Sequence, residues 1–244
     1  MPFFRADSKL IFFAHVPKCA GSSMFKYLEE RFGSVAFYDG RMHFLPEQER
    51  WSRSSPQHID VATFERIFPK NFFDATFAFV RHPVSRMVSA YHFQQDIERS
   101  VPPDVTLLEW LDSITEARKA DPFVFDNHVR PMSEIVPGDA KVFRLEEGTA
   151  PFIDWLDELT GNNGGPRELP KVNEQGSRKN GKKPKTKPTD EEIEKIMDIY
   201  QMDFDRFGYS ADVSELKKPH TPNHSKSSTT TNSLRKFLRS FGGS

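Results

Sequence analysis

Cysteine occurs once, at Cys19, in a chain of 244 residues. A single thiol excludes an intrachain disulfide and any zinc site built on thiolates, and it fits a reducing compartment. Long apolar runs are missing too. The longest near the start, Leu10–Val16, is interrupted by His15 and is far too short to cross a bilayer. The opening residues do not follow the cationic-then-apolar order of a secretory signal. Trp and Tyr are scarce, at 3 and 5, and the aromatic content rests on 23 Phe. These recur inside apolar stretches and read as core. The GxxxxGK[ST] phosphate loop is absent, which disfavours a magnesium-nucleotide hydrolase. No metal-ligand cluster shows in the spacing of His, Asp and Glu, so no metal is expected. Solenoid or propeller repeats are absent as well.

What is present is charge, unevenly placed. The net charge is −1, with 34 Lys and Arg against 35 Asp and Glu. Residues 171–187 hold Lys171, Arg178, Lys179, Lys182, Lys183, Lys185 and Lys187 against the one acid Glu174. Residues 217–244 hold Lys217, Lys218, Lys226, Arg235, Lys236 and Arg239 and no acid. Two basic segments on an acidic body suit local anion binding and argue against a nucleic-acid coat.

Lys9–Val16, Asp74–Arg81 and Lys141–Leu145 read as strands, the first two as buried ones. The first two run directly into helical patterns, over Gly21–Phe32 and Pro83–Phe93, and a helix around Pro151–Leu159 follows the third. Thr106 to Glu109 and Thr189 to Glu192 are capping boxes that each open an amphipathic helix. Strands alternating with helices predict an α/β fold with a central parallel sheet flanked by helices. Asn162–Pro188 is a long loop rich in Gly, Pro and Lys, and from Pro219 onward the composition predicts a disordered tail.

Two strand-to-helix junctions carry the chemistry. At the first, from Ala14 to Met24, Lys18 precedes Gly21, Ser22 and Ser23 at a helix start. Unpaired amides, the positive end of the helix dipole and a lysine make an anion site. Gly21 is read as letting the backbone approach a ligand. The string alone is equally compatible with an ordinary turn bearing a solvent lysine. At the second, Phe79 to Tyr91, Arg81 lies at the strand end, Pro83 opens the helix, and Arg86 and Ser89 follow. An Arg fork with a Ser hydroxyl suits a terminal phosphate. Arg86 taken alone reads as a surface salt-bridge residue.

The two strings together resemble sulfotransferases that use 3′-phosphoadenosine 5′-phosphosulfate (PAPS). HVPKCAGSS at 15–23 is similar to their 5′-phosphosulfate loop, and FVRHPVSRMVSAY at 79–91 to their 3′-phosphate segment. The nearest resemblance is to the carbohydrate sulfotransferase group that includes the heparan 2-O enzymes and bacterial relatives. It continues through Asp126–Pro131, Phe143–Glu146, Lys171–Asn173 and Ile199–Tyr209, and so spans about residues 9–209.

The resemblance implies a P-loop-like three-layer fold, with a sulfotransferase domain over 1–216, a basic lid within 162–188 and a tail from 217 to 244. It implies in-line transfer of a sulfuryl group from PAPS to a hydroxyl, on a carbohydrate or glycolipid. Lys18 would meet the bridge between phosphate and sulfate. Cys19, Ala20, Gly21, Ser22 and Ser23 would hold the 5′-phosphate, and Arg81 and Ser89 the 3′-phosphate. Cys19 stands where the family often has Thr or another small residue. A thiol at a helix start can have a lowered pKa, though fitting the loop is the simpler role.

The family often places a His directly after a Gly, and the resemblance implies a base there. Here Arg41 follows Gly40, and His43 stands two further on, so His43 is the first candidate, with Glu47, Glu49 and His58 as substitutes. His15 reads as a packing or loop-ordering residue, and His128 with Arg130 as shaping the acceptor side. The 171–187 run is a nucleotide lid, a grip on an anionic glycan, or a solvated loop. The rivals to transfer are a small-molecule kinase and a non-catalytic nucleotide-binding scaffold. In the tail, Leu234, Phe237, Leu238 and Phe241 form one apolar stripe bordered by Arg235, Lys236 and Arg239. That pattern raises peripheral contact with an anionic membrane or a partner, or docking on its own domain. Cytoplasmic residence, or residence at the inner membrane surface, is the matching expectation.

Overall fold

A computed structural model of the chain describes residues 2–42, 45–170, 172 and 187–210. His43, the basic run apart from Val172 and Lys187, and the tail from 217 lie outside the described residues. Five strands form one sheet in the order β3-β1-β2-β4-β5. They are β1 (Phe3–Ala6), β2 (Lys9–Ala14), β3 (Val35–Ala36), β4 (Ala75–Val80) and β5 (Lys141–Arg144). The described α-helices are α1 (Gly21–Phe32), α2 (Val61–Ile67), α3 (Pro83–Phe93), α4 (Leu107–Ala120), α5 (Ala150–Thr160) and α6 (Asp190–Phe207).

The α/β class and the parallel centre are as expected: β2 pairs with β4, and β4 with β5, in parallel. The sheet as a whole is mixed. A tight turn through Asp7, at φ 51°, folds β1 back antiparallel onto β2, and β3 pairs antiparallel with β1.

The apolar runs of β2 and β4 are continuous because both faces are covered. Ile11 to Ala14 and Phe77 to Val80 are all at most 1% exposed. Phe12 stacks on Phe64 of α2 at 4.3 Å, on one face. Phe13 stacks on Phe77 at 4.9 Å, and Phe77 meets Phe152 of α5 at 4.9 Å, on the other. Alternation along each strand sends successive rings into opposite layers.

Both capping boxes form, at Thr106 with Glu109 and at Thr189 with Glu192. Beside the sheet, α3, α4 and α6 enclose a second apolar cluster that includes Met87, Trp110, Leu111, Ile114, Ile196 and Tyr200. α6 is also tied to the segment before β5. The Asp203 carboxylate accepts from the Met132 and Ser133 amides at 2.8 Å each, and the Tyr200 hydroxyl donates to the Val129 carbonyl at 2.8 Å.

Candidate active site

β2 and β4 are neighbours in parallel register, Ala14 beside Ala78, so the loops at their carboxyl ends emerge side by side. After β2 the chain turns through two left-handed residues, Lys18 at φ 68° and Ala20 at φ 64°. Neither is glycine, so this turn holds roughly 1–2 kcal/mol of backbone strain at each. Ala20 is the N-cap of α1 and supplies no side-chain cap. The first amides of α1 are therefore not satisfied by a capping side chain.

Gly21 has a packing reason to be glycine beside the one its spacing suggests. A Cβ there would lie 1.5 Å from Nε2 of His15, so the imidazole fills the space. His15 is 7% exposed and stacks on Phe13 at 5.3 Å. Cys19 is 1% exposed, and burial pushes its thiol up to about 12 despite Arg86 and Arg81 nearby. It is an inert loop-filling side chain, and only its backbone can meet a ligand. Ser22 is exposed and Ser23 half-buried. The Ser23 hydroxyl accepts from the Val172 amide at 3.3 Å, which brings the start of the basic run to this loop.

At the second junction His82 caps α3, its Nδ1 accepting from the Val84 amide at 3.3 Å, with Pro83 in the first turn. Arg81 is half-buried, and its Nη1 donates to the Lys18 carbonyl at a long 3.5 Å. Ser89 lies with Ser85, Val88 and His92 on the half-buried stripe of α3. Arg86 does not share that stripe, contrary to its i and i+3 spacing with Ser89. It is 0% exposed, with no surface salt bridge: its Nε and Nη2 donate to the carbonyls of Pro17, His128 and Arg130.

The Lys18 ammonium lies 3.8 Å over the Phe93 ring. Phe93 stacks on His128 at 4.9 Å, His128 meets His58 edge-on at 5.0 Å, and His58 meets His15 at 4.8 Å. His58 Nδ1 is 2.5 Å from Asp126 Oδ2. That carboxylate also accepts from the Ser55 amide and hydroxyl at 2.6 and 2.7 Å. The Asn127 side chain donates to the His58 carbonyl at 2.7 Å. Phe125, Asp126 and Asn127 all have positive φ, at 54°, 51° and 61°. Such a run persists only where its surroundings over-determine it, as they do here.

Burial alone raises the Asp126 carboxyl, but His58, His128 and the Ser55 hydrogen bond hold it well below the usual carboxylate range. Burial first, then His58, lowers the proton affinity of both His15 and His128, and Lys18 lowers that of His128 further. The His128 Nδ1 lies 2.7 Å from the Phe125 carbonyl, so it carries the hydrogen and leaves Nε2 as the acceptor. His58, Asp126 and His128 also bring ligand-type atoms within 4.8 Å of one another. The His58–Asp126 hydrogen bond gives the geometry in which a carboxylate orients an imidazole.

His128 and Asp126 line a cleft of about 580 Å³ whose walls include Met42, Trp51, Arg53 and Phe123. Trp51 is 59% exposed at this cleft. Glu47 lies along it, while Glu49 is exposed in the same short helical turn.

Spacing in the sequence identified the two junctions but not the histidine–aspartate pair, because its members are separated by 68 residues. His58 entered only as a substitute base, and Asp126 only within a string of the resemblance. The one local signal is the string Asp126–Pro131, polar residues with no helical or strand period.

A family model described as "Sulfotransferase family" matches residues 1–210. No curated protein and no solved structure shows a significant match to the chain.

Proposed function

The chain belongs to the sulfotransferase family, and from that premise we propose that it moves a sulfuryl group from PAPS to a hydroxyl of a carbohydrate or glycolipid. When bound, PAPS supplies a sulfuryl group whose leaving side is a nucleotide phosphate. The residues present fit that donor. The start of α1 has no side-chain cap, Lys18 is beside it, and Arg81 makes one long hydrogen bond among the described residues. Amides from Ala20 to Ser23 would hold the 5′-phosphate, and Arg81 with Ser89 the 3′-phosphate. Lys18 would face the charge that develops on the leaving phosphate, where a fixed cation acts most strongly.

One observation carries the reading: the cation of the donor loop and a carboxylate-oriented histidine are joined through Phe93 and His128. Asp126 accepts from His58 Nδ1, leaves Nε2 to take the hydroxyl proton, and stabilises the imidazolium that forms. His128 is not chosen as the base, because burial, then His58, then Lys18 disfavour its charged form. His58 therefore replaces His43 as our first choice of base. The cleft at His128 suits the acceptor, since the exposed Trp51 can stack on the apolar face of a sugar while Arg53 meets its polar edge.

The test is transfer of labelled sulfate from PAPS to a panel of glycans and glycolipids, in wild type and variants. His58→Ala should lower turnover by roughly two to four orders of magnitude with donor affinity intact. Lys18→Ala should also lose turnover, with donor affinity only moderately weakened. Full turnover in His58→Ala would return the base to His43, Glu47 or Glu49.

A further inference from the structure

The buried face of α3 carries one charge, and the transfer step as described does not use it. Arg86 is 0% exposed. Its Nε donates to the Pro17 carbonyl at 3.2 Å, and its Nη2 to the carbonyls of His128 at 3.1 Å and Arg130 at 2.8 Å. Among the described residues, Nη1 has no hydrogen-bond partner and is buried. A buried guanidinium held only by carbonyls is a costly way to fill space, and an apolar side chain of similar volume would serve packing better.

Its three acceptors are informative in their order along the chain. Pro17 immediately precedes Lys18, whose left-handed backbone aims the donor-loop ammonium toward Phe93. His128 and Arg130 follow the left-handed run Phe125 to Asn127, which holds Asp126 against His58. Two strained loops, one for each side of the reaction, thus meet on a single planar group. Arg86 also reaches the donor loop electrostatically, since Cys19 feels its charge together with that of Arg81.

We propose that Arg86 is a positioning residue for sulfuryl transfer: its guanidinium fork sets the spacing between the Lys18 ammonium and the His58–Asp126 pair. The proposal rests on the transfer reading above. A guanidinium presents donors on three nitrogens in one rigid plane, whereas an ammonium presents them all from one atom. Lysine at this position keeps the charge and loses the fixed spacing.

The experiment compares the full chain with Arg86→Lys and Arg86→Gln. It reads kcat and KM for sulfate transfer, affinity for adenosine 3′,5′-bisphosphate by calorimetry, and the NMR titration midpoints of the His58 and His128 rings without nucleotide. Asp126, His128 and His15 face His58, and Lys18 and Asp126 act on His128, so displaced loops move both midpoints. We expect Arg86→Lys to bind the bisphosphate within about threefold of wild type. Its kcat should fall at least about 100-fold, with both midpoints displaced and KM changed far less. Unchanged kcat and midpoints would overturn the proposal, as would a loss matched by weakened bisphosphate binding. Failure of both variants to fold would overturn it too, by assigning Arg86 to stability. A wild-type chain that transfers no sulfate to any acceptor would sink the transfer reading instead, while the ring midpoints would still decide whether Arg86 sets the histidine pair.

Discussion

Gly21 and His15 act as one packing unit. A methyl at Gly21 would meet His15 Nε2 at 1.5 Å, and the ring has little room to retreat between Phe13 and His58. Gly21→Ala should cost about 1–3 kcal/mol by overpacking, and removing the ring in Gly21→Ala/His15→Ala should recover part of it. Urea unfolding of the single and double variants measures this coupling. Additive losses would mean that the two residues do not share the space. His15 and His128 make a second prediction. Both have lowered proton affinity in the fold, so below about pH 6.5 the unfolded chain takes up protons that the folded chain refuses. Stability should be full above that pH and fall on acidification, by up to about 1.4 kcal/mol per pH unit for each ring. Urea midpoints at intervals between pH 7.5 and 5.5 check it, and His128→Asn should flatten the slope. A slope unaltered by that change would mean the ring is charged in the folded protein.

Among the elements, those with a local chemical signature were legible and those without were not. β2 and β4 announce themselves as apolar runs ending at Lys18 and Arg81, and the boxes at Thr106 and Thr189 mark their helix starts to the residue. β3 has two residues and α2 seven, too few to show a period. β1 has four and depends on Asp7 turning left-handed, which no hydrophobic pattern reports. The loop from Val16 to Ser23 was legible as a strand-to-helix junction because its residues are contiguous. The His58–Asp126 pair was not, because it exists only once the left-handed run at 125–127 closes against Ser55 and His58. A mutational check at this scale uses Thr189, whose hydroxyl accepts from the Glu192 amide at 3.2 Å. Thr189→Ala should remove about 1 kcal/mol and lower the melting temperature by roughly 2–4 °C. A shift much larger than this in thermal unfolding would give α6 a role beyond its cap.

For the molecule as a whole, the two loops proposed to hold phosphates hang from adjacent strands, so a ligand bearing two phosphates should grip both at once. Adenosine 3′,5′-bisphosphate at about a hundred times its Kd should stabilise the chain by about 2.7 kcal/mol. AMP at the same concentration should do much less, and Arg81→Ala should bring the two nucleotides level. Equal melting shifts from both in the unaltered chain would refute the assignment of Arg81 and Ser89.

The described parts of the site also differ in what supports them. The proposed donor loop and Arg81 hang from β2 and β4, the most deeply buried strands, with Phe12, Phe13, Phe77 and Phe79 locked at their centre. The cleft beside His128 is walled instead by residues outside the sheet, among them Met42, Glu47, Trp51, Arg53, Gln94 and Asp121. Substitutions or insertions in those walls leave the strand pairing untouched. On the proposed reading the scaffold therefore supports its two sides differently: the walls that would meet the acceptor can change while the strands beneath the proposed donor loop stay as they are.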